Sequence, residues 1–288
     1  MSSVSAHDFN SIYQQKSIIT TFKEAGYQTA FFSNQRYNHS FIDFFGKEAD
    51  TCNFIKENVK HANYNPSDDE LLELVATELA KNAPKQFIVL HTYGSHFNYR
   101  ERYPSENAFF LPDFPVDAEV KYKDNLVNAY DNSIRYTDDF LARLIGMLQE
   151  QNTDAAMLYS SDHGEDIFDD SRRLFLHASP VPSYYQIHVP FLLWMSDSYR
   201  DHYPSLWENT ISNKQKNISS SASFFHTMLE LGGVTTPYRN DSLSVVNVLF
   251  TEKPRVYLND HNEARSLNEI GMGEEDFEML QQKGILYR

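Results

Sequence analysis

The chain has 288 residues, a formal net charge of −15 and a single cysteine, Cys52. That length can bury a substantial core. The acidic balance excludes nucleic-acid recognition, which relies on a clustered basic surface, and one cysteine excludes an intrachain disulfide. The longest apolar run, residues 189–195, is far short of the ~20 needed to span a bilayer. The opening MSSVSAHDFN has neither the basic start nor the apolar stretch of a signal peptide.

In chain order, residues 16–25 read as a helix with Ile18, Ile19 and Phe22 on one face, capped by Gly26. A strand follows at 27–32, with Ser33, Asn34 and Gln35 at its carboxyl end. Residues 36–66 are irregular and rich in Asn and aromatics, which predicts surface loop with short helical pieces. Ser67 and Glu70 form the pattern of a capping box for a helix reaching about residue 81. The next strand, 86–90, runs into HTYGSHFNYRERYP (91–104). A long helix is predicted over about 119–151 and a strand over 155–159. Another strand is expected at 188–195, a Ser-capped helix at 219–231 stopped by Gly232 and Gly233, and short strand-like runs near 255–258 and 284–287. Strands alternating with helices, and no linker rich in Pro or Gly, predict one α/β domain over 1–288 with a largely parallel sheet covered on both faces.

The strand at 155–159 ends in SSDHGED. Asp162 offers a carboxylate oxygen and His163 an imidazole nitrogen, a mixed set suited to zinc or a similar divalent ion. Gly164 permits a tight turn behind them. His91 and His96 follow the strand at 86–90, and His177 lies in a loop downstream. Parallel strands bring their carboxyl ends to one edge of the sheet, where ligands bind, so these residues are expected to converge there. Metal, histidines and carboxylates together suit hydrolysis or transfer of a phosphoryl or related ester. Each has a plainer alternative: Asp162 as a cap, His91 as a tie between loops, Glu165 and Asp166 as solvated acids. His7, His39, His61, His188, His202 and His261 read as surface or packing residues, and His226 as packing on its helix.

SSDHGED, with GSHFNYRERYP upstream and LFLHASP downstream, resembles the catalytic domain of bacterial envelope phosphoethanolamine transferases. These belong to the sulfatase branch of the alkaline phosphatase superfamily. TTFKEAGYQTAFFSNQ, NAYDNSIRYTDDFLARLI, VPFLLWMSD and FFHTMLELGGVTTPYR match the same pattern in order. The resemblance implies an alkaline-phosphatase-like three-layer α/β sandwich with a mainly parallel central sheet. It implies zinc held by Asp162 and His163, and His96 and His177 lining the substrate phosphate and assisting the leaving group. His91 would bind substrate or support the site. The implied reaction takes phosphoethanolamine from a phospholipid onto a threonine and then onto lipid A or another sugar, at the periplasmic face of a bacterial inner membrane.

The family's nucleophile and a further acidic ligand should precede the segment matching 16–35, where this chain has fifteen residues and no threonine. Ser2, Ser3 and Ser5 are the stand-ins. The expectation is therefore a C-terminal fragment, inactive alone, whose parent reaches the membrane through an N-terminal domain. The alternatives are a sulfatase or phosphoglycerol transferase of the same superfamily, or a metal-binding interaction module without catalysis.

Overall fold

The computed structural model describes residues 16–37, 41–57, 65–177, 181–258, 263–285 and 287. They fall into two compact units: Ile19–Gln151 with Ile167–Leu174, and Asn152–Asp166 with Phe175–Arg288 and the residues up to Ile18.

The first unit is built on a parallel sheet. Helix α1 (Ile18–Glu24) ends where Gly26 takes φ +83°, a left-handed conformation that glycine adopts without strain. The Tyr27 amide then donates to Phe22 O at 3.1 Å, so the predicted cap is present. Strand β1 (Gln28–Ser33) follows, then α2 (Phe41–Gly46) and β2 (Thr51–Phe54). Helix α3 (Glu70–Leu79), β3 (Gln86–His91) and α4 (Lys123–Glu150) complete the regular elements. The strand order is β2-β1-β3, parallel throughout, with Ser33 opposite both Phe54 and His91. Phe22 on α1 stacks on Phe87 of β3 with ring centroids 3.9 Å apart.

Two expectations change here. The stretch read as loop contains β2, an added edge of the sheet. The capping box does not form: helix α3 starts at Glu70, preceded by Asp69 with no side-chain cap bond. Ser67 Oγ accepts the Asp69 amide at 3.3 Å and shares a hydrogen bond with Tyr136 OH at 3.0 Å. Tyr136 OH also donates to Asp69 at 2.5 Å, and Arg143 pairs with the same carboxylate. Partners on α4 thus engage the side chains that would have capped α3.

The second unit opens with β4 (Ala156–Ser160); the short strand β5 (Asp166–Ile167) straddles the point where the chain leaves it, and β6 (Phe175–Leu176) and helix α5 (Tyr184–Ile187) follow on its return. Strand β7 (Phe191–Met195) pairs with β4 antiparallel, Ala156 opposite Met195 and Ser160 opposite Phe191. This strand starts three residues later than predicted. His188 closes α5, its amide donating to Tyr184 O, and Pro190 has no N–H for a ladder. Helices α6 (Asp197–His202), α7 (Pro204–Asn213) and α8 (Ser220–Leu231) follow; α8 ends at Gly232 and Gly233 as expected, Gly233 at φ +62°. Strands β8 (Val256–Leu258) and β9 (Ala264–Ser266) form an antiparallel pair ahead of α9 (Glu274–Gln282). One core joins Met195, Tyr199, Leu231, Val245, Val246 and Phe250; a second joins Tyr184, Leu267, Met272 and Leu280. The run at 284–287 shows no strand among its described residues: Ile285 and Tyr287 pack against the second core, and Leu286 lies outside the described residues.

Candidate functional site

Strand β4 carries the chain to Ser160, and the next six residues form a bonded loop. Ser161 Oγ donates to His163 O at 2.7 Å, bridging across Asp162. His163 Nδ1 donates to Gly164 O at 3.0 Å, because a carbonyl only accepts. That bond fixes the neutral ring's tautomer and leaves the Nε2 lone pair as its metal- or proton-binding atom. Asp162 is largely exposed, with Oδ2 3.8 Å from His163 Nε2. These two sequence-predicted ligands therefore sit side by side.

His177 joins them. Its ring centroid is 3.7 Å from that of His163, and its Nδ1 donates to Glu165 Oε1 at 3.0 Å. Glu165 is no solvated acid, since only 4% of its side chain is accessible. His163, Glu165 and His177 each offer one ligand atom, and the three atoms lie within 4.8 Å of one another. Glu165 is thus placed behind His177, with a ligand atom in reach of the same cluster.

The loop is fastened from behind by α5. The Gly164 amide donates to Gln186 O at 2.7 Å. A Cβ on Gly164 would stand 2.1 Å from Tyr185 O, so the approach requires glycine. Asp166, 2% exposed, accepts from Ser183 Oγ at 2.8 Å and Gln186 Nε2 at 2.5 Å. It too is a structural acid, not a solvated one. Ser183 and Gln186 gave no signal in the sequence beyond lying a few residues after LFLHASP.

His91 and His96 belong to the other unit. His91 ends β3, and its Nδ1 shares a 2.9 Å hydrogen bond with Ser33 Oγ at the end of β1. His96 Nδ1 donates to Phe97 O at 2.6 Å, and the ring meets Tyr93 edge-on at 5.1 Å. Both strand ends are tied through Asp68, which accepts from Asn34 Nδ2 and from the amides of Tyr93 and Gly94, all at 2.8–2.9 Å. A cavity of about 230 Å³ opens there, lined by Asn34, Ser67, Asp68, Tyr93 and Arg102 among others. Lys56 Nζ lies 3.7 Å and the Arg102 guanidinium 4.2 Å from the Tyr93 ring centroid. Burial, with Arg102 beside it, pushes the Lys56 ammonium down to about 8.

Of the remaining histidines, His226 is buried and its Nδ1 accepts the Asn240 amide at 3.0 Å, a packing role as expected. His188 bonds Tyr184 OH at 2.6 Å, and the exposed His202 meets Asp154 at 2.9 Å. His7, His39, His61 and His261, with Ser2, Ser3 and Ser5, lie outside the described residues. No helix among the described residues is long and apolar enough to cross a membrane.

A protein-family model described as Sulfatase matches residues 1–234, a span that includes segments of both units. Phosphoethanolamine transferase EptC of Escherichia coli (strain K12) is 27% identical over 252 residues, 84% of this chain and 42% of EptC. The Kdo(2)-lipid A phosphoethanolamine 7''-transferase of the same strain is 38% identical over 142 residues, 48% of this chain and 24% of that protein. The chain thus spans less than half the length of these curated relatives. The crystal structure of the C-terminal periplasmic domain of E. coli EptC in complex with zinc superposes with a TM-score of 0.82 at 24% identity, covering 96% of this chain and 78% of that one. The soluble domain of lipooligosaccharide phosphoethanolamine transferase A from Neisseria meningitidis gives 0.76 at 23%, covering 88% and 76%. The chain is homologous to phosphoethanolamine transferases, and its α/β fold is that of their periplasmic domains, as the motifs implied.

Proposed function

Because the chain belongs to the sulfatase family, we propose that it carries the metal and phosphate machinery of a phosphoethanolamine transferase. The donor is a phospholipid and the acceptor lipid A or another envelope sugar, on the periplasmic side of a bacterial inner membrane. The carrying observation is the loop after β4, where His163, Glu165 and His177 cluster beside Asp162. Two imidazoles and two carboxylates are the donor types that zinc takes. Asp162 Oδ2 and His163 Nε2, 3.8 Å apart, would hold it, and Glu165, clustered with His163 and His177, is the candidate further donor. When bound, zinc supplies Lewis acidity toward an ester oxygen and a hydroxyl nucleophile.

The chain's own residues have separate tasks. Glu165 orients the His177 ring and faces its Nδ1–H, so a proton held at Nε2 points away from Glu165, toward a leaving oxygen. His96, its Nδ1–H engaged by Phe97 O, would present Nε2 to a phosphate oxygen. His91, bonded to Ser33, supports the strand ends or binds substrate. Phosphoethanolamine would pass in two displacements at phosphorus, first from the phospholipid to a threonine with diacylglycerol leaving, then to the sugar hydroxyl with the threonine oxygen leaving, and residues 1–288 belong to one catalytic domain. Calorimetric titration with zinc tests the site: binding should be lost in His163→Ala and weakened, not lost, in His177→Ala. Absence of zinc binding by the unaltered protein would overturn the reading. In cells, lipid A should gain phosphoethanolamine by mass spectrometry only when the full gene carries His163.

A further inference from the structure

The loop before α4 holds large apolar side chains out in water. Phe109 is 65% exposed, Leu111 67% and Phe114 56%, and Phe110 is also exposed. Ala108 to Pro112 contain no ionisable group. The next residue, Asp113, is buried and accepts from Tyr103 OH at 2.7 Å and Arg100 Nε at 3.2 Å. Exposed apolar residues scattered singly need no account, but a contiguous set does.

The mount is polar and buried. Asn132 on α4 is fully buried; its Oδ1 accepts the amides of Phe109 and Phe110, and its Nδ2 donates to Phe110 O, all at 2.9 Å. Asn128 Nδ2 donates to Pro112 O at 2.9 Å. Side chains of α4 therefore satisfy much of the tip's backbone, and Pro112 brings no amide of its own. Unpaired backbone groups are what normally keep a loop out of hydrocarbon, and here several are already paired. The exposed Arg135 guanidinium lies 4.5 Å from the Phe109 ring centroid, a cation beside the tip that suits a lipid phosphate.

We infer that the Phe109–Leu111–Phe114 tip docks into the headgroup region of a zwitterionic phospholipid bilayer. A neutral surface fits because the tip's exposed side chains are uncharged, its one acid, Asp113, being buried against Arg100, while the chain carries −15, a balance that repels anionic membranes. This rests on the reading that the substrates are membrane lipids, which brings the protein to a bilayer. Aromatic and aliphatic side chains on such a tip bind by buried apolar area.

The test floats the 288-residue protein with vesicles of phosphatidylcholine and phosphatidylethanolamine, without zinc. Phe109→Ser with Leu111→Ser should weaken binding on the order of tenfold or more. Val248→Ser with Leu249→Ser, altering an exposed apolar pair elsewhere, should leave it unchanged. Melting curves of both variants report folding. No vesicle binding by the unaltered protein, or an equal loss in both variants, overturns the inference. A dimer by size exclusion that only the tip variant dissociates, without vesicle binding, overturns it in favour of a second copy. Vesicle binding in a protein that fails to bind zinc leaves the tip standing and removes the transferase reading.

Discussion

At Glu165 and Asp166 the meaning of a short acidic pair depends on residues far along the chain. Their partners are His177, Ser183 and Gln186, 12–20 positions away. Local sequence reports charge but not burial, so it leaves the alternative of solvated acids open, and the burial of both side chains closes it. Asp162 and His163 were legible as a pair because they are adjacent at a strand end; Glu165 as the partner of His177 was not. His226 shows the same dependence through titration. Burial, with Arg239 nearby, holds its imidazole below the ordinary value near 6.5. A lowered histidine binds fewer protons folded than unfolded, so its contribution is whole above pH ~6.5 and is lost as pH falls toward the folded value. Protonation would also place a hydrogen on Nδ1, where the Asn240 amide already donates. The melting temperature should therefore drop between pH 7.5 and 5.5, and His226→Gln should flatten part of that drop.

Elements with strong periodicity or a clear end were legible: β1, β3, α4, β4 and α8 lie within a few residues of their predicted places. Those missed have tertiary causes. Strand β2 has only four residues, of which only Phe54 is buried, so it carries no alternating pattern to read. The start of α3 is set by Tyr136 and Arg143 on α4 rather than by its own capping residues. Two glycines separate close approach from flexibility. Gly164→Ala drives a Cβ into Tyr185 O, whereas Gly146, inside α4, has nothing within 4 Å of the added carbon. The first should cost about 1–3 kcal/mol by overpacking and weaken zinc binding, as the loop shifts off α5. The second should gain up to about 1 kcal/mol from helix propensity. Denaturant unfolding of both variants reads the sign; a destabilised Gly146→Ala or an unaffected Gly164→Ala would contradict the packing argument.

Across the whole molecule, the carboxyl-terminal half returns eight residues, Ile167–Leu174, to the unit formed by Ile19–Gln151. Ile167 and Phe168 are buried there, and Lys123 Nζ donates to Phe168 O at 2.7 Å. The path of the chain thus passes from one unit to the other at 18, 151, 166 and 174. Neither unit is a continuous length of polypeptide, so neither can be lifted out by a single pair of gene boundaries. Gln151 and Asn152 are both exposed and invite a protease. A nick there should give two fragments that still travel together through gel filtration and part only in denaturant, because the strap at 167–174 stays seated on the other fragment. The same break makes a natural seam for a split protein: two halves encoded separately, joined at 151/152, whose reassembly reports that the strap has found its place.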